Sequence, residues 1–279
     1  MVVSRGGTAS WYRHITDNYE EIFSFYTPDE FRARNEGRID EQEGRQKHLE
    51  ISSFDREILD RVERKLGLKG AEVLHPSLMY QLFDNYWYQR APVTLIEAFT
   101  SFEPLTAPTG TDVRRHLPDR YVAAKFYGNA ALPSTPENGR FVSSYLADLA
   151  RHNEVVLLNT AQRFDEHADF PKELLGRVHA IDHLMDPAGN LAVQTEVIRH
   201  AQAFVGTYGG FSYLAPLCGV NTVAFYSHPN GFRVDHLEVA KRVFSALKVG
   251  TFTELDLRAV DSLRLGLAGT LPVSLGSPR

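Results

Sequence analysis

Short apolar runs separated by helical stretches set the pattern of the second half of the chain. Residues 121–126, 154–158, 178–181, 203–205 and 222–226 read as strands of a mostly parallel sheet, those at 121–126, 203–205 and 222–226 as buried ones. Residues 137–151, 194–203, 211–217 and 234–244 carry helical periodicity between them. The pattern then predicts a short strand at 245–249 and a final helix at 253–260. Strands alternating with helices in this way imply βα units, a mostly parallel sheet and the α/β class.

The first half is less regular. Val2 and Val3 predict a strand running into Ser4-Arg5-Gly6-Gly7. Residues 9–19 look helical and 22–26 look like a strand. Thr27, Pro28 and Glu30 form a helix start, with Thr27 as N-cap and Glu30 placed for a capping box. The charge-rich stretch 32–47 follows as an exposed helix or surface segment. Residues 54–66 are amphipathic, with Phe54, Ile58, Leu59 and Val62 on one face, and end at Gly67. A short strand at 71–74 leads to His75, and 78–88 is an aromatic-rich helix. Residues 102–118, holding Pro104, Pro108 and Pro118, read as the linker. The expected domains are 1–110 and 111–279.

A net charge of −5 offers no global field for nucleic acid or anionic lipid. No apolar run is long enough to be a transmembrane segment, and the first residues lack a signal-peptide core, so a cytoplasmic location is expected. The single cysteine, Cys218, lies in an apolar helix and reads as a packed thiol. The histidines show no metal-ligand spacing, so no metal is expected.

Chemistry concentrates around residues 201–227, where a strand enters a glycine turn that opens a helix. Gly206, Gly209 and Gly210 bracket Thr207 and Tyr208, with Ser212 one turn on. Free amides and the helix dipole favour an anion at such a turn. It is neither GxGxxG nor a P-loop. Pro216 should kink or shorten the helix. With right-handed crossovers the strand C-terminal ends share one edge, where ligands bind. That edge would gather Lys125, Tyr127, Asn129, Asn159, Thr160, Ala161, Gln162, Asp182, Thr207, Tyr208, Gly209, Gly210 and Ser212. Lys125 would complement a diphosphate or merely end a strand. Asn159, Thr160 and Asp182 suit a sugar or ribose.

From residue 121 to about 260 the chain resembles the nucleotide-sugar-binding domain of GT-B glycosyltransferases. It is most similar to heptosyltransferase-like and surface-polysaccharide transferases. The likeness rests on the run from Gln194 to Ser227 and on Asp235-His236-Leu237-Glu238 after it, with Asn221 where the family carries proline. The resemblance implies two Rossmann-like domains, the donor bound in the C-terminal one and the acceptor in the N-terminal one. It implies metal-independent transfer of a sugar from a nucleotide-diphosphate donor to a glycan or other hydroxyl acceptor, with no cofactor. An inverting member needs a base, for which His75, His14 and Asp17 are the candidates. Because the chain opens on a strand with no partner before it, the N-terminal domain is expected to lack its first βα units or to be reduced. Two other readings remain open: an accessory, nonenzymatic protein with a degenerate sugar-nucleotide site, and a sugar-nucleotide epimerase.

Overall fold

A computed structural model describes residues 1–44, 48–160, 168–170 and 177–259. Expectations touching 45–47, Ala161, Gln162 and Val260 lie outside these residues. The chain opens with β1 (Val2–Ser4), β2 (Tyr19–Glu21), α1 (Pro28–Glu41), α2 (Ser53–Leu66), α3 (Ser77–Trp87) and α4 (Val93–Phe99). It continues with β3 (Val122–Lys125), β4 (Tyr127–Gly128), α5 (Pro136–His152), β5 (Val155–Leu157), β6 (Ala168–Asp169) and β7 (Val178–Ala180). Then come α6 (Asn190–His200), β8 (Ala203–Thr207), α7 (Gly210–Leu217), β9 (Thr222–Tyr226), α8 (Val234–Leu247) and β10 (Phe252–Asp256).

Six strands form one sheet in the order β10-β9-β8-β3-β5-β7, and every pairing is parallel. Counted from β3, this is the order 3-2-1-4-5-6 of the Rossmann type, which reverses between its first and fourth strands. Here that switch point lies between β3 and β8, paired as Val122↔Ala203 through Lys125↔Gly206. The sheet is coated on both faces. Val142, Leu146 and Ala150 of α5 meet Val122, Ala124, Val155 and Leu157 on one. Val193, Val197 and Ile198 of α6 and Leu214 and Ala215 of α7 meet Ala123, Val156 and Phe204 on the other. Burial on both sides explains why these strands are apolar throughout rather than alternating.

The N-terminal region has its own core of Tyr26, Phe31, Phe54, Ile58 and Val62. Both of its first helices begin at capping boxes: Thr27 with Glu30, as expected, and Ser52 with Asp55. Its described strands are a two-stranded parallel pair, Val2↔Tyr19 to Ser4↔Glu21. Residues 101–118 are pinned rather than loose. Leu105 N donates to Leu217 O at 2.8 Å, and Thr109 Oγ1 donates to Glu196 Oε2 at 2.8 Å.

Several expected elements take another form. Residues 9–19 give one 3-10 turn (Ala9–Tyr12), and the strand is Tyr19–Glu21, selected by pairing with β1; 22–24 is another 3-10 turn. Residues 71–74 form no strand and are exposed. The expected strand at 245–249 is the end of α8, where Lys248 takes the left-handed conformation (φ 55°) and Val249 N reaches Phe244 O at 3.2 Å. The expected helix at 253–260 holds only at 257–259, the last of its described residues; 253–256 belong to β10, drawn straight by the open edge of β9. Helix α4 has no counterpart in the sequence pattern. Pro216 does sit in a short helix, eight residues long. No helix among the described residues is long and apolar enough to cross a membrane.

Candidate functional site

Because the sheet is parallel, the C-terminal ends of β3, β5, β7 and β8 share one edge. Lys125 ends β3, Asn159 and Thr160 follow β5, Asp182 follows β7, and Thr207 ends β8. The fold therefore brings the predicted edge residues together, and Lys125 and Thr207 to Ser212 flank the switch point itself. Ala161 and Gln162 belong to the undescribed residues.

At the switch point the chain is tightly tied. Thr207 Oγ1 accepts from Tyr127 N and donates to Tyr127 O, both at 2.9 Å. Asn129 Nδ2 donates to Tyr208 O at 3.1 Å, while Asn129 Oδ1 accepts from Ala131 N and Leu132 N at 2.8 Å. Ser212 Oγ accepts from Gly209 N at 3.0 Å and donates to Gly209 O at 2.7 Å. The amides of Gly210, Phe211 and Ser212 then open α7, where no preceding turn supplies a carbonyl to meet them. Gly209 is required by a close approach: a Cβ there would overlap the Tyr127 hydroxyl and stand 3.5 Å from Asn129 Nδ2. The turn is thus walled by a tyrosine hydroxyl and an amide.

Thr207, Tyr208 and Ser212 are buried and make their hydrogen bonds within the protein. Tyr208 Oη donates to Arg233 O at 2.9 Å and accepts from Tyr213 Oη at 2.5 Å. Lys125 departs from the role expected of it. Its Nζ lies 2.8 Å from Asp169 Oδ1 and donates to Leu158 O at 2.8 Å, so its charge is directed at Asp169. Asp169 Oδ2 accepts from Thr160 N at 2.7 Å, which ties the β5 loop into the same network. Asn159 Nδ2 donates to Phe170 O at 3.1 Å, but its buried Oδ1 meets no donor.

The candidate bases are placed apart from this turn, in the N-terminal region. His75 has both ring nitrogens engaged: Nδ1 accepts from Ser77 N at 3.1 Å, and Nε2 faces Asp55 Oδ2 at 3.3 Å. With Nδ1 accepting, the proton of the neutral ring sits on Nε2 and points at Asp55, so no lone pair is left for a substrate proton. His14 is exposed, and Asp17 is exposed and pairs with Arg13 at 3.3 Å. Their loop follows Trp11, whose Nε1 donates to Thr195 Oγ1 of α6 at 3.0 Å. The Gly6-Gly7 turn also meets α6, with a Cβ on Gly7 standing 3.0 Å from Ala192 N.

Three features went unread in the sequence. Asn190 and Gln194, one turn apart at the start of α6, are both buried, and Gln194 Oε1 has no partner. Two amides at i and i+4 in an otherwise apolar stretch were the available signal. His48, Asp55 and His75 bring ligand-type atoms within 4.8 Å of one another. Against a metal there stand the buried Arg38 paired with Asp55 and the Nε2–H tautomer of His75, the reverse of what Nε2 ligation needs. Burial opposes the Asp55 charge, yet the Ser52 hydrogen bonds and Arg38 outweigh it and hold the carboxyl below its usual range. The third feature is the contact of α3 and α4 with α8. Trp87 packs on His236 with ring centroids 4.3 Å apart and the rings tilted by 37°, Tyr86 Oη donates to Glu238 Oε2 at 2.8 Å, and Arg242 Nε donates to Glu97 Oε1 at 2.6 Å. Cys218 is an inert thiol, pushed up to about 12 by burial.

No known protein family matches the chain, and no curated protein matches it.

Proposed function

We propose that this protein is a glycosyltransferase of GT-B type. It would hold a nucleotide-diphosphate sugar at the switch point and pass the sugar to a hydroxyl acceptor without a metal. The carrying observation is the Gly209-Gly210 turn, which opens α7 at the point where the strand order reverses. In open α/β sheets that crevice is where nucleotides bind, and helix-opening amides suit a diphosphate. The N-terminal region, which contacts the starts of α6 and α8, supplies the second wall of the cleft and the acceptor side. Of the named bases His14 suits proton removal best, since His75 is engaged at both nitrogens and Asp17 is paired. That engagement of His75 also supports a second reading, a protein that binds the nucleotide sugar without transferring it.

A thermal-shift screen with UDP, GDP, ADP, CMP and their sugar conjugates tests both. A ligand at one hundred times its dissociation constant stabilises by about 2.7 kcal/mol. The expected result is a rise with one diphosphate, lost in Gly209→Val. No rise with any nucleotide would rule out both readings. Binding without sugar release in the presence of hydroxyl acceptors would favour the second.

A further inference from the structure

We infer that a cleft in the N-terminal region binds a small organic anion, a carboxylate or phosphate monoester carried on an apolar group. The cleft has a volume of about 340 Å³, is open to solvent, and is lined by Phe25, Glu57, Arg61 and Arg64. Small-molecule sites span roughly 300–1,000 Å³, so one small ligand fits. The cleft shares no residue with the glycine turn at Gly209-Gly210, and the inference stands apart from the nucleotide-sugar reading. Three of its lining residues come from α2, where Glu57, Arg61 and Arg64 follow at i, i+4 and i+7 and so share one helix face. Phe25, directly after the 3-10 turn Ile22–Ser24, supplies the apolar wall.

The charges of the cleft are arranged for an anion. Both oxygens of Glu57 are taken: Oε2 accepts from Arg34 Nη1 at 2.6 Å and Oε1 from Arg61 Nη2 at 2.9 Å. Two cations thus neutralise that carboxylate, and it orients Arg61 rather than repelling a ligand. Arg61 is fixed further by donation from Nη1 to Phe25 O at 3.1 Å and by the Tyr26 ring, whose centroid lies 4.3 Å from its guanidinium carbon. Lys65 is engaged by Glu20 at 2.6 Å, and its Nζ lies 4.9 Å from the Phe25 ring centroid. Arg64 differs from both. Its Nε donates to the backbone carbonyl of Asp60 at 3.1 Å, which anchors the side chain. Neither of its terminal nitrogens meets an acceptor among the described residues. A guanidinium anchored at Nε keeps its two terminal N–H groups as a planar fork, the shape that matches carboxylate or phosphate oxygens. Phe25 beside it favours an anion with an apolar group over a bare ion.

The test is isothermal titration of wild type, Arg64→Gln, Arg64→Lys and Lys69→Gln with phenyl phosphate, benzoate, inorganic phosphate and acetate. Lys69 is exposed and outside the lining, so its variant removes the same charge without touching the cleft. Circular dichroism and melting verify the fold of each variant. Phenyl phosphate or benzoate is expected to bind wild type more tightly than the matching bare ion. Arg64→Gln should weaken that binding by about tenfold or more, Arg64→Lys should retain part of it, and Lys69→Gln should leave it unchanged. Inorganic phosphate that binds as tightly as phenyl phosphate, and is lost in Arg64→Gln, would sustain the anion site and overturn its apolar part. Equal weakening in Lys69→Gln and Arg64→Gln would reveal diffuse surface charge and overturn the inference. So would equal affinity in wild type and Arg64→Gln, or a wild type that binds none of the four.

Discussion

Lys125 shows how burial redirects a side chain. At the end of a core strand an ammonium is costly unless paired, and the partner is Asp169 on β6, 44 residues further along. Removing one member leaves the other charge stranded. Lys125→Met is therefore expected to cost about 3–5 kcal/mol of stability, while Lys125→Met with Asp169→Leu should recover most of it, as read by urea denaturation. Equal loss in both would show that the pair is solvated. Gly209 poses the opposite problem, space rather than charge. Gly209→Ala should cost about 1–3 kcal/mol by overlap with the Tyr127 hydroxyl, and Tyr127→Phe in the same chain should relieve part of that cost. The glycine was readable from the turn pattern. What fills the space beside it was not, because Tyr127 reaches the turn only through the β3–β8 pairing.

At the level of elements, legibility followed the source of the stabilisation. Strands β3, β5, β8 and β9 stood out because both their faces are buried, which leaves an apolar run in the sequence. Helix α1 stood out because its cap is local. Strand β10 did not, since its straightness comes from β9: Thr222 N donates to Thr251 O at 2.8 Å and Thr251 N to Asn221 Oδ1 at 2.9 Å, contacts 29 and 30 residues apart in the chain. Likewise Tyr19–Glu21 is extended because β1 lies beside it. The edge list of candidate site residues followed from strand ends alone, whereas the engagement of His75 required knowing that α2 brings Asp55 to it. The two capping boxes separate local from tertiary strength. Thr27→Ala should cost about 1 kcal/mol, the usual loss for a cap. Ser52→Ala should cost more, because Ser52 holds the carboxylate that also pairs with Arg38 and His75. Paired melting curves check the order, and equal costs would mean that the Arg38 contact does not depend on the cap.

Over the whole molecule, the question is what keeps the N-terminal region against the sheet. Part of the answer is His236 on α8, packed at a tilt on Trp87 of α3. Burial, with Arg233 adding to it and Asp235 opposing, lowers its pKa from 6.5 to about 4. Its Nε2 is buried without a hydrogen-bond partner, as suits a neutral ring. A histidine depressed in the folded state stays neutral there while the unfolded chain takes up the proton. Stability linked to His236 is thus complete above about pH 6.5 and falls away as the pH drops from there towards about 4. Asp55 adds its own loss only at lower pH, since its carboxyl is held below the usual range and must be protonated before its contacts fail. Melting temperatures of wild type and His236→Gln from pH 7 down to about pH 2 separate the two. The variant should lose less on acidification between about 6.5 and 4, and the curves should run parallel below that. Because Trp87 is one of two tryptophans, its emission offers a local view of the same event. A change in emission in that window, ahead of global melting, would place the first opening of the molecule at the α3–α8 contact; identical pH slopes in the two proteins would mean that His236 titrates as it does in the unfolded chain and that the contact does not bury it in solution.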